Sequence, residues 1–266
     1  MELPFFSIIT VAFNAEETIE GTLRSVLSQT FTNFEIIVKD GMSKDATLKH
    51  IPEDERIKTI SCPDTGIYDA MNQAIREAKG RFLCFLNCGD SFFDDGVLAN
   101  VRSRILQEEK SEIFYYGNYE TNGQFTQSPA VTTAASLFRN PLCHQTMFIP
   151  RTLFERMGLY RTDFRILADY EFTARAFHAK IPFVNTGITV CRYLGGGVST
   201  QKKYKAIIKK EYRIVRKTYF SFAQGLRFRL FRVLTFPRLR ALLASDKAPR
   251  WISGFYKKIA NCVKKG

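Results

Sequence analysis

Apolar runs of strand length alternate with segments of helical period through the first 110 residues. The runs cover residues 5–13, 34–39, 57–61 and 81–87. Three of them are followed by segments with apolar side chains three and four positions apart, which predict helices over 19–27, 67–79 and 97–105. This alternation of strands and helices predicts an α/β fold with a mostly parallel central sheet and right-handed connections.

Polar residues between these elements predict where the helices begin and end. Asn14-Ala15-Glu16-Glu17 has the form of a capping box for the first helix. Ser43 is the predicted cap of a short helix, and Asp94 that of the helix after the fourth strand. Gly80 is the predicted stop of the helix over 67–79.

The pattern changes after residue 112. Glu112–Thr121 and Gln124–Gln127, joined by Asn122-Gly123, predict a β-hairpin. Two more strands are predicted near residues 146–149 and 188–193, with a helix that begins near residue 168 between them. These elements extend the body of the fold to about residue 195.

A C-terminal extension carries almost all of the excess positive charge. Gly195-Gly196-Gly197 is the predicted joint between a body, 1–197, and an extension, 198–266. Residues 201–266 hold 19 Lys and Arg against 2 Asp and Glu, whereas residues 1–200 hold 20 against 24. Such an extension suits a polyanion or an anionic membrane surface.

Residues 202–217 have the pattern of a basic amphipathic helix. At 100° per residue, their eight Lys and Arg fall within about 160° of arc. The opposite face carries Tyr204, Ile207, Ile208, Tyr212, Ile214 and Val215. With the aromatic and basic stretch that continues to residue 243, this helix is expected to lie in the interface of a membrane.

Several classes of protein are disfavoured by composition. No apolar run reaches the roughly 18–20 residues that span a bilayer. The beginning Met-Glu-Leu-Pro lacks the positive region of a signal peptide. The six cysteines are scattered without CxxC or Cys/His spacing, which disfavours zinc and favours reduced thiols in the cytosol.

Acidic loops follow three of the predicted strands. They are Asp40–Asp45, Asp64–Asp69 and Leu86-Asn87-Cys88-Gly89-Asp90. Open α/β sheets bind ligands outside the carboxyl ends of their strands. These loops therefore predict one polar crevice that can hold a metal ion and a phosphorylated ligand.

Five motifs in order give the chain a family resemblance. They are Ser7-Ile-Ile-Thr-Val-Ala-Phe-Asn14, Asp40-Gly-Met-Ser-Lys-Asp-Ala-Thr47, Asp64-Thr-Gly-Ile-Tyr-Asp-Ala-Met-Asn72, Leu86–Asp90 and Ala168-Asp-Tyr-Glu-Phe-Thr-Ala-Arg175. Over about residues 4–195 the chain resembles the family 2 glycosyltransferases of bacterial surface-polysaccharide synthesis. The resemblance implies the GT-A nucleotide-sugar-binding fold and an inverting transfer from a nucleotide sugar, most simply a UDP-sugar.

The resemblance also assigns the residues that hold the nucleotide sugar. They are Ala12, Asn14, Glu17, Asp40, Asp64, Asp69, Asn72, Arg175 and His144, with Asp40 accepting from the ring N–H of the base and His144 facing the acceptor or the diphosphate. Ordinary structural roles stand beside these assignments, since Asn14, Glu17 and Asp64 are also suited to capping. Met42 stands where relatives commonly carry glycine.

Two carboxylates are expected to perform the chemistry. Asp90 is the implied ligand of a divalent metal, Mg²⁺ or Mn²⁺, although relatives commonly have a second acidic residue near this position. Asp169 is the implied general base toward the acceptor hydroxyl. As alternatives, Asp90 caps a turn and Asp169 caps a helix.

The expected partners are the nucleotide-sugar donor, a saccharide or polyprenyl-diphosphate-linked acceptor, and an anionic membrane surface contacted by residues 202–243. Nucleic acid is not an expected partner. The protein is accordingly expected in the cytoplasm, peripheral to the inner face of the cytoplasmic membrane. A Rossmann dehydrogenase is excluded because no GxGxxG follows the first strand. A nucleotidyltransferase and a non-catalytic nucleic-acid-binding protein remain as alternatives.

Overall fold

The computed structural model describes residues 3–108, 112–131, 133–139, 141–193, 201–221 and 224. The predicted glycine joint at 195–197 and the stretch 225–266 lie outside the described residues. Within the described residues, nine strands form one sheet: β1 Phe6–Ala12, β2 Phe34–Asp40, β3 Ile57–Ser61, β4 Phe82–Phe85, β5 Ser91–Phe92, β6 Phe114–Thr121, β7 Gln124–Thr126, β8 Met147–Pro150 and β9 Phe183–Tyr193.

The sheet has the strand order β3-β2-β1-β4-β8-β6-β9-β5, with β7 paired to β6. The first four strands in this order are parallel to one another. Strand β8 runs antiparallel to both β4 and β6, and β9 runs parallel to β6. The prediction of a mostly parallel α/β sheet is confirmed, and β8 joins its two parts.

Seven α-helices accompany the sheet in the described residues. They are α1 Ile19–Leu27, α2 Ile67–Glu77, α3 Val97–Leu106, α4 Ala134–Arg139, α5 Arg151–Met157, α6 Ala168–His178 and α7 Lys205–Tyr219. Shorter 3-10 turns cover Thr47–His50, His144–Thr146 and Lys202–Tyr204. Within the described part of the chain, no helix is both long enough and apolar enough to cross a membrane.

Both faces of the sheet are buried, which explains the continuous apolar runs of the central strands. On one face, Ile9 and Ile37 pack with α2, α6 and α7. On the other, Ile8 and Ile36 pack with α1 and α3. Neighbouring residues of one strand thus enter different cores, because side chains alternate across a sheet.

The hairpin prediction is confirmed. Strands β6 and β7 pair in antiparallel fashion around Asn122 and Gly123, whose φ angles are 51° and 74°. Two left-handed residues are what a type I′ turn requires, and Asn-Gly is the sequence that adopts them at low cost.

Two predicted helix boundaries are wrong in detail. Helix α2 ends at Glu77, and Gly80 instead packs against β1, where an added Cβ would lie 2.5 Å from the backbone nitrogen of Ser7. Asp94 accepts from the Gly96 N–H at 2.9 Å, before α3 begins. The N–H of Leu98 in the first turn of α3 is satisfied by Gln29 Oε1 at 2.9 Å, a partner remote in sequence.

Helix α7 packs its apolar face on the body, where a membrane interface was expected to cover that face. Val215 is fully buried, and Tyr212 contacts the ring of Tyr170 in α6 at 5.3 Å between centroids. Its apolar face therefore completes a core and does not remain available to a membrane. The exposed face keeps Lys202, Lys203, Lys205, Lys209, Lys210, Arg213 and Lys217.

Candidate active site

The carboxyl ends of three parallel strands place two candidate residues, Ala12 and Asp40, side by side with Ser61. In the register of the sheet, Ala12 lies opposite Asp40, and Asp40 lies opposite Ser61. The Asp40 carboxylate accepts from the Ser61 hydroxyl at 2.7 Å and from the Ser43 N–H at 3.1 Å. Burial raises the pKa of Asp40, but these hydrogen bonds outweigh it and leave the pKa below its ordinary value.

The segment after β1 is held by the loop after β2 rather than by a capping box. The N–H groups of Asn14 and Ala15 donate to the hydroxyls of Ser43 and Thr47, at 2.8 and 2.7 Å. Asn14, at φ 49°, accepts from the Lys44 N–H through its side chain. Helix α1 begins only at Ile19, so the capping box over 14–17 and the cap at Ser43 are wrong.

A buried lysine that sequence reasoning missed supports the Asp64 loop. Lys39 is fully buried in β2, and its ammonium donates to Asp40 O, Cys62 O and Asp64 Oδ2 at 2.8, 2.7 and 2.9 Å. All three donors of the ammonium are used. Asp64 thus has a structural partner at the edge where a nucleotide is expected.

Three further candidates have structural contacts in this conformation. Asp69 accepts from the Thr65 N–H at 2.9 Å at the beginning of α2. Asn72 is buried and exchanges two hydrogen bonds with the backbone of Tyr160, at 2.8 and 3.0 Å. Arg175 donates to Leu159 O at 2.9 Å and to Glu171 at 3.1 Å. The hydrogen bonds of Asn72 and Arg175 thus go to the backbone of residues 157–160 and to Glu171 in α6.

Two exposed apolar side chains lie beside Asp40. Phe13 is 65% exposed and Met42 is 52% exposed, although both follow buried strands. The Phe13 ring lies 3.3 Å from the position that a Cβ on Gly41 would occupy. Sequence reasoning missed Phe13 because it read as the last apolar residue of β1. Glu17 is exposed nearby.

A 3-10 turn, His144–Thr146, contacts both expected catalytic carboxylates. Gln145 donates from Nε2 to Asp90 Oδ2 at 2.8 Å, and both residues are buried. Its neighbour His144 places Nδ1 3.5 Å from Asp169 Oδ2. Adjacent residues thus reach Asp90 at the end of the parallel strands and Asp169 on α6. Gln145 is a third residue, after Lys39 and Phe13, to which sequence reasoning gave no role of its own.

Asn87 fixes the orientation of His144. The Asn87 Nδ2 lies 2.9 Å from His144 Nε2, so the amide donates and Nε2 accepts. The remaining proton of a neutral imidazole then lies on Nδ1, which faces Asp169. The Asn87 Oδ1 is buried and has no hydrogen-bond partner among the described residues.

The two oxygens of Asp169 have different surroundings. Oδ1 accepts from the Tyr170 N–H at 2.8 Å and lies 3.0 Å from the Tyr68 hydroxyl. That hydroxyl also lies 2.5 Å from Ile166 O. Burial, and then the charge of Asp169, raise the pKa of Tyr68 well above its ordinary value. Tyr68 therefore stays protonated, and Oδ2 is the oxygen that faces His144.

The residues near Asp90 fit a small, hard cation. Mg²⁺ and Mn²⁺ are commonly held by one or two carboxylates together with substrate phosphates and water. Asp90 supplies a carboxylate, and the unsatisfied Asn87 Oδ1 is a second hard oxygen three residues away. Across the described residues there is no group of three or more His, Cys, Asp or Glu side chains placed to share a metal. Phosphate oxygens would have to complete the coordination.

Comparison with known proteins places the chain in a family. The model of Glycosyl transferase family 2 matches residues 7–179. A protein of Mycobacterium bovis strain BCG / Pasteur 1173P2, described as a PGL/p-HBAD biosynthesis glycosyltransferase, is 30% identical over 90% of this chain and 93% of its own. The Escherichia coli UDP-Glc:alpha-D-GlcNAc-diphosphoundecaprenol beta-1,3-glucosyltransferase WfaP is 31% identical over 77% of this chain and 83% of its own.

Solved structures show the same fold at lower identity. Staphylococcus aureus TarS 1-349 in complex with UDP-GlcNAc superposes with a TM-score of 0.65 at 18% identity, over 91% of this chain and 76% of that one. The mannosyltransferase PcManGT from Pyrobaculum calidifontis, in complex with GDP-Man and Mn²⁺, superposes with a TM-score of 0.57 at 14% identity, over 97% of this chain and 85% of that one. The predicted fold class is confirmed.

Proposed function

Because the chain belongs to glycosyl transferase family 2 and is a glycosyltransferase, we propose that it moves a sugar from a UDP-sugar to a saccharide or lipid-linked saccharide with inversion. The observation that carries this proposal is the Asp169 carboxylate, which presents Oδ2 beside His144 on the turn that also contacts Asp90. WfaP, whose description names UDP-Glc and a diphosphoundecaprenol-linked sugar, supports the choice of donor and acceptor.

Asp169 Oδ2 is the atom that takes the proton. Oδ1 is occupied by the Tyr170 N–H and the Tyr68 hydroxyl. Among the described residues, Oδ2 faces only the more distant Nδ1 of His144, at 3.5 Å. The acceptor oxygen attacks the anomeric carbon as its proton passes to Oδ2, and the bond from that carbon to the diphosphate breaks. General-base assistance of this kind is worth about 10²–10⁴-fold in rate.

The strand ends bind the donor. Ala12 and Asp40 lie side by side and contact the base of the nucleotide, and the exposed Phe13 and Met42 give that base an apolar surface. Asn14 and Glu17 lie on the same loop, with Asp64 and Asp69 on the next acidic loop. Asp90, and Asn87 beside it, would hold the divalent metal. When bound, that metal supplies positive charge to the departing diphosphate.

The turnover experiment uses the relatives' substrates as probes. UDP release is measured from UDP-glucose and UDP-GlcNAc, with Mn²⁺ and GlcNAc-diphosphoundecaprenol, for the wild type and Asp169→Asn. The matched control is Asp163→Asn, since Asp163 is an exposed carboxylate paired with Arg161. Asp169→Asn should lower kcat about 10²–10⁴-fold while the control stays near wild type. Equal rates for both variants would contradict the assignment of the base.

The nucleotide and the metal are tested by calorimetry. UDP, GDP and CDP are titrated with and without Mn²⁺ into the wild type and Asp90→Asn. We expect Mn²⁺ to strengthen UDP binding in the wild type and to have a much smaller effect in Asp90→Asn. Preference for GDP or CDP would reject the UDP-sugar, and an equal Mn²⁺ effect in both proteins would reject Asp90 as the ligand.

The exposed face of α7 supports binding to an anionic membrane by charge alone. Seven Lys and Arg are exposed on the segment 202–217, while its apolar residues pack on the body. Each basic residue near an anionic surface contributes about 1 kcal/mol, and salt weakens that attraction. Such contact would hold the enzyme at the inner face of the cytoplasmic membrane, where a lipid-linked acceptor is accessible.

Flotation with vesicles tests this contact without removing the helix. Vesicles with anionic lipid should bind the full chain at low salt and release it at high salt. The variant Lys205→Glu/Lys209→Glu should bind more weakly, and the control Lys49→Glu/Lys58→Glu changes the same charge on other exposed lysines. Equal loss in both variants would mean that net charge, and not the face of α7, determines binding.

A further inference from the structure

A carboxylate from α7 holds the segment that leads into the catalytic helix. Glu211 is 4% exposed. Its Oε1 accepts from the Arg165 N–H at 2.7 Å, and its Oε2 accepts from the N–H groups of Ile166 and Leu167 at 3.1 and 2.9 Å. Three consecutive amides, 44 to 46 residues away in sequence, thus converge on one buried side chain.

This segment ends two residues before Asp169. Leu167 is the N-cap residue of α6 and supplies no side-chain hydrogen bond to the helix. The Ile166 carbonyl lies 2.5 Å from the Tyr68 hydroxyl, which also contacts Asp169. The position of the segment therefore determines both where α6 begins and how the Tyr68 proton is shared.

Helix α7 also contacts the two residues of α6 that follow Asp169. Tyr212 packs against Tyr170, and the Tyr219 hydroxyl donates to Glu171. Glu171 in turn accepts from Arg175 at 3.1 Å. The contacts of α7 thus lie along the same stretch of α6 that presents the base.

We propose that Glu211 is a positioning residue for the transfer, acting through the backbone of residues 165–167 to place the Asp169 carboxylate. This inference rests on the proposed role of Asp169 as the base. A carboxylate is suited to the task because it has only acceptor atoms, and a charged acceptor binds N–H groups more strongly than a neutral one. Helix α7 is accordingly part of the catalytic unit rather than an appendage.

The test compares Glu211→Gln with Glu35→Gln. Glu35 is a matched control, since its Oε1 accepts from the backbone N–H groups of Lys79 and Gly80 at 2.6 and 3.1 Å, at the beginning of β2 and remote from the strand ends of the site. A Gln in place of Glu211 turns one acceptor into a donor facing an N–H. Glu211→Gln should lower kcat about 10- to 100-fold, with KM for the donor changed less than about twofold. Glu35→Gln should lower stability without this effect on kcat.

A double variant separates positioning from general destabilisation. If Glu211 acts through Asp169, Glu211→Gln should add almost nothing to the loss caused by Asp169→Asn, because residues that act as a unit are non-additive. A residue with only a structural role would lower the remaining rate by the same factor in both backgrounds. Where Glu211→Gln does not fold, Glu211→Asp, which keeps the charge but withdraws it by one methylene, should show the same change in kcat with constant KM.

The outcomes distinguish this inference from the proposed function. The inference is overturned if Asp169→Asn lowers kcat as expected while Glu211→Gln behaves as Glu35→Gln does. It is overturned as well if the two losses multiply in the double variant. A wild type that releases no UDP from either sugar nucleotide removes the proposed function, and this inference with it.

Discussion

Replacing Lys39 by Met should destabilise the fold because it removes a buried charge from three acceptors. Lys39 is fully buried, whereas its partner Asp64 is 17% exposed. Breaking a buried ion pair by removing one partner typically costs about 3–5 kcal/mol. Asp64 can regain some water, and Asp40 O keeps a second donor in the Cys62 N–H at 3.2 Å. The Met side chain fills most of the vacated volume, so we expect about 3 kcal/mol, the lower end of that range.

Urea unfolding followed by circular dichroism measures this cost. The matched control is Lys58→Met, since Lys58 lies on the neighbouring strand β3 in an ion pair with Glu77 whose partners are 49% and 47% exposed. An exposed pair of this kind contributes about 0–1 kcal/mol. The double variant Lys39→Met/Asp64→Asn should recover part of the loss, because it leaves no unpaired carboxylate. The reasoning is refuted if Lys39→Met and Lys58→Met unfold alike, or if the double variant is no more stable than Lys39→Met.

Three further predictions concern separate parts of the molecule. Tyr68→Phe should lower kcat about tenfold, which corresponds to about 1.4 kcal/mol for the loss of one hydrogen bond to a charged group. The affinity for UDP in calorimetry should stay unchanged, and a normal kcat would contradict this prediction. Phe13→Ala should weaken UDP binding about tenfold if the Phe13 ring stacks on the uracil base, since stacking contributes about 1–3 kcal/mol. Equal affinity would exclude the ring from the nucleotide site. The hydrogen bonds from Arg56 lower the pKa of Asp54 to about 2, so this carboxylate contributes stability above its ordinary pKa of 3.8 that is lost as pH falls toward 2. Solvent screening limits this contribution to about 1 kcal/mol. When the free energy of unfolding is measured as pH falls, Asp54→Asn should therefore lose about that much less stability than the wild type.

The elements that could be predicted from sequence are those whose pattern is local. Strand β1 and helix α2 follow from apolar periodicity, and the hairpin follows from Asn122-Gly123. Helix α5 was missed because its seven residues give too short a pattern. The capping box predicted at Asn14 was wrong because the N–H groups of Asn14 and Ala15 donate to the hydroxyls of Ser43 and Thr47. These partners lie 29 and 32 residues away in sequence, so no local pattern indicates them.

The site shows the same division between local and remote information. The carboxylates Asp40, Asp90 and Asp169 follow strands or begin a helix, so their approximate places could be predicted. Gln145 and Glu211 could not, because nothing near them in sequence indicates which backbone or side chain they reach. The amphipathic pattern of 202–217 was correct as a pattern, but amphipathicity alone does not tell whether a core or a membrane covers the apolar face.

Strand β8 lies between the parallel strands β1–β4 and strands β6 and β9, and it divides the proposed site into two halves. The residues that we propose to bind the nucleotide under Proposed function all precede residue 91, at or after the ends of the parallel strands, whereas the proposed base lies on α6 beyond β8. We therefore expect substitutions that alter nucleotide binding in the first half, and substitutions that alter proton removal in the second. The turn His144–Thr146 belongs to both halves, because Gln145 holds Asp90 while His144 faces Asp169. Libraries that aim to exchange one substrate alone should keep this turn constant.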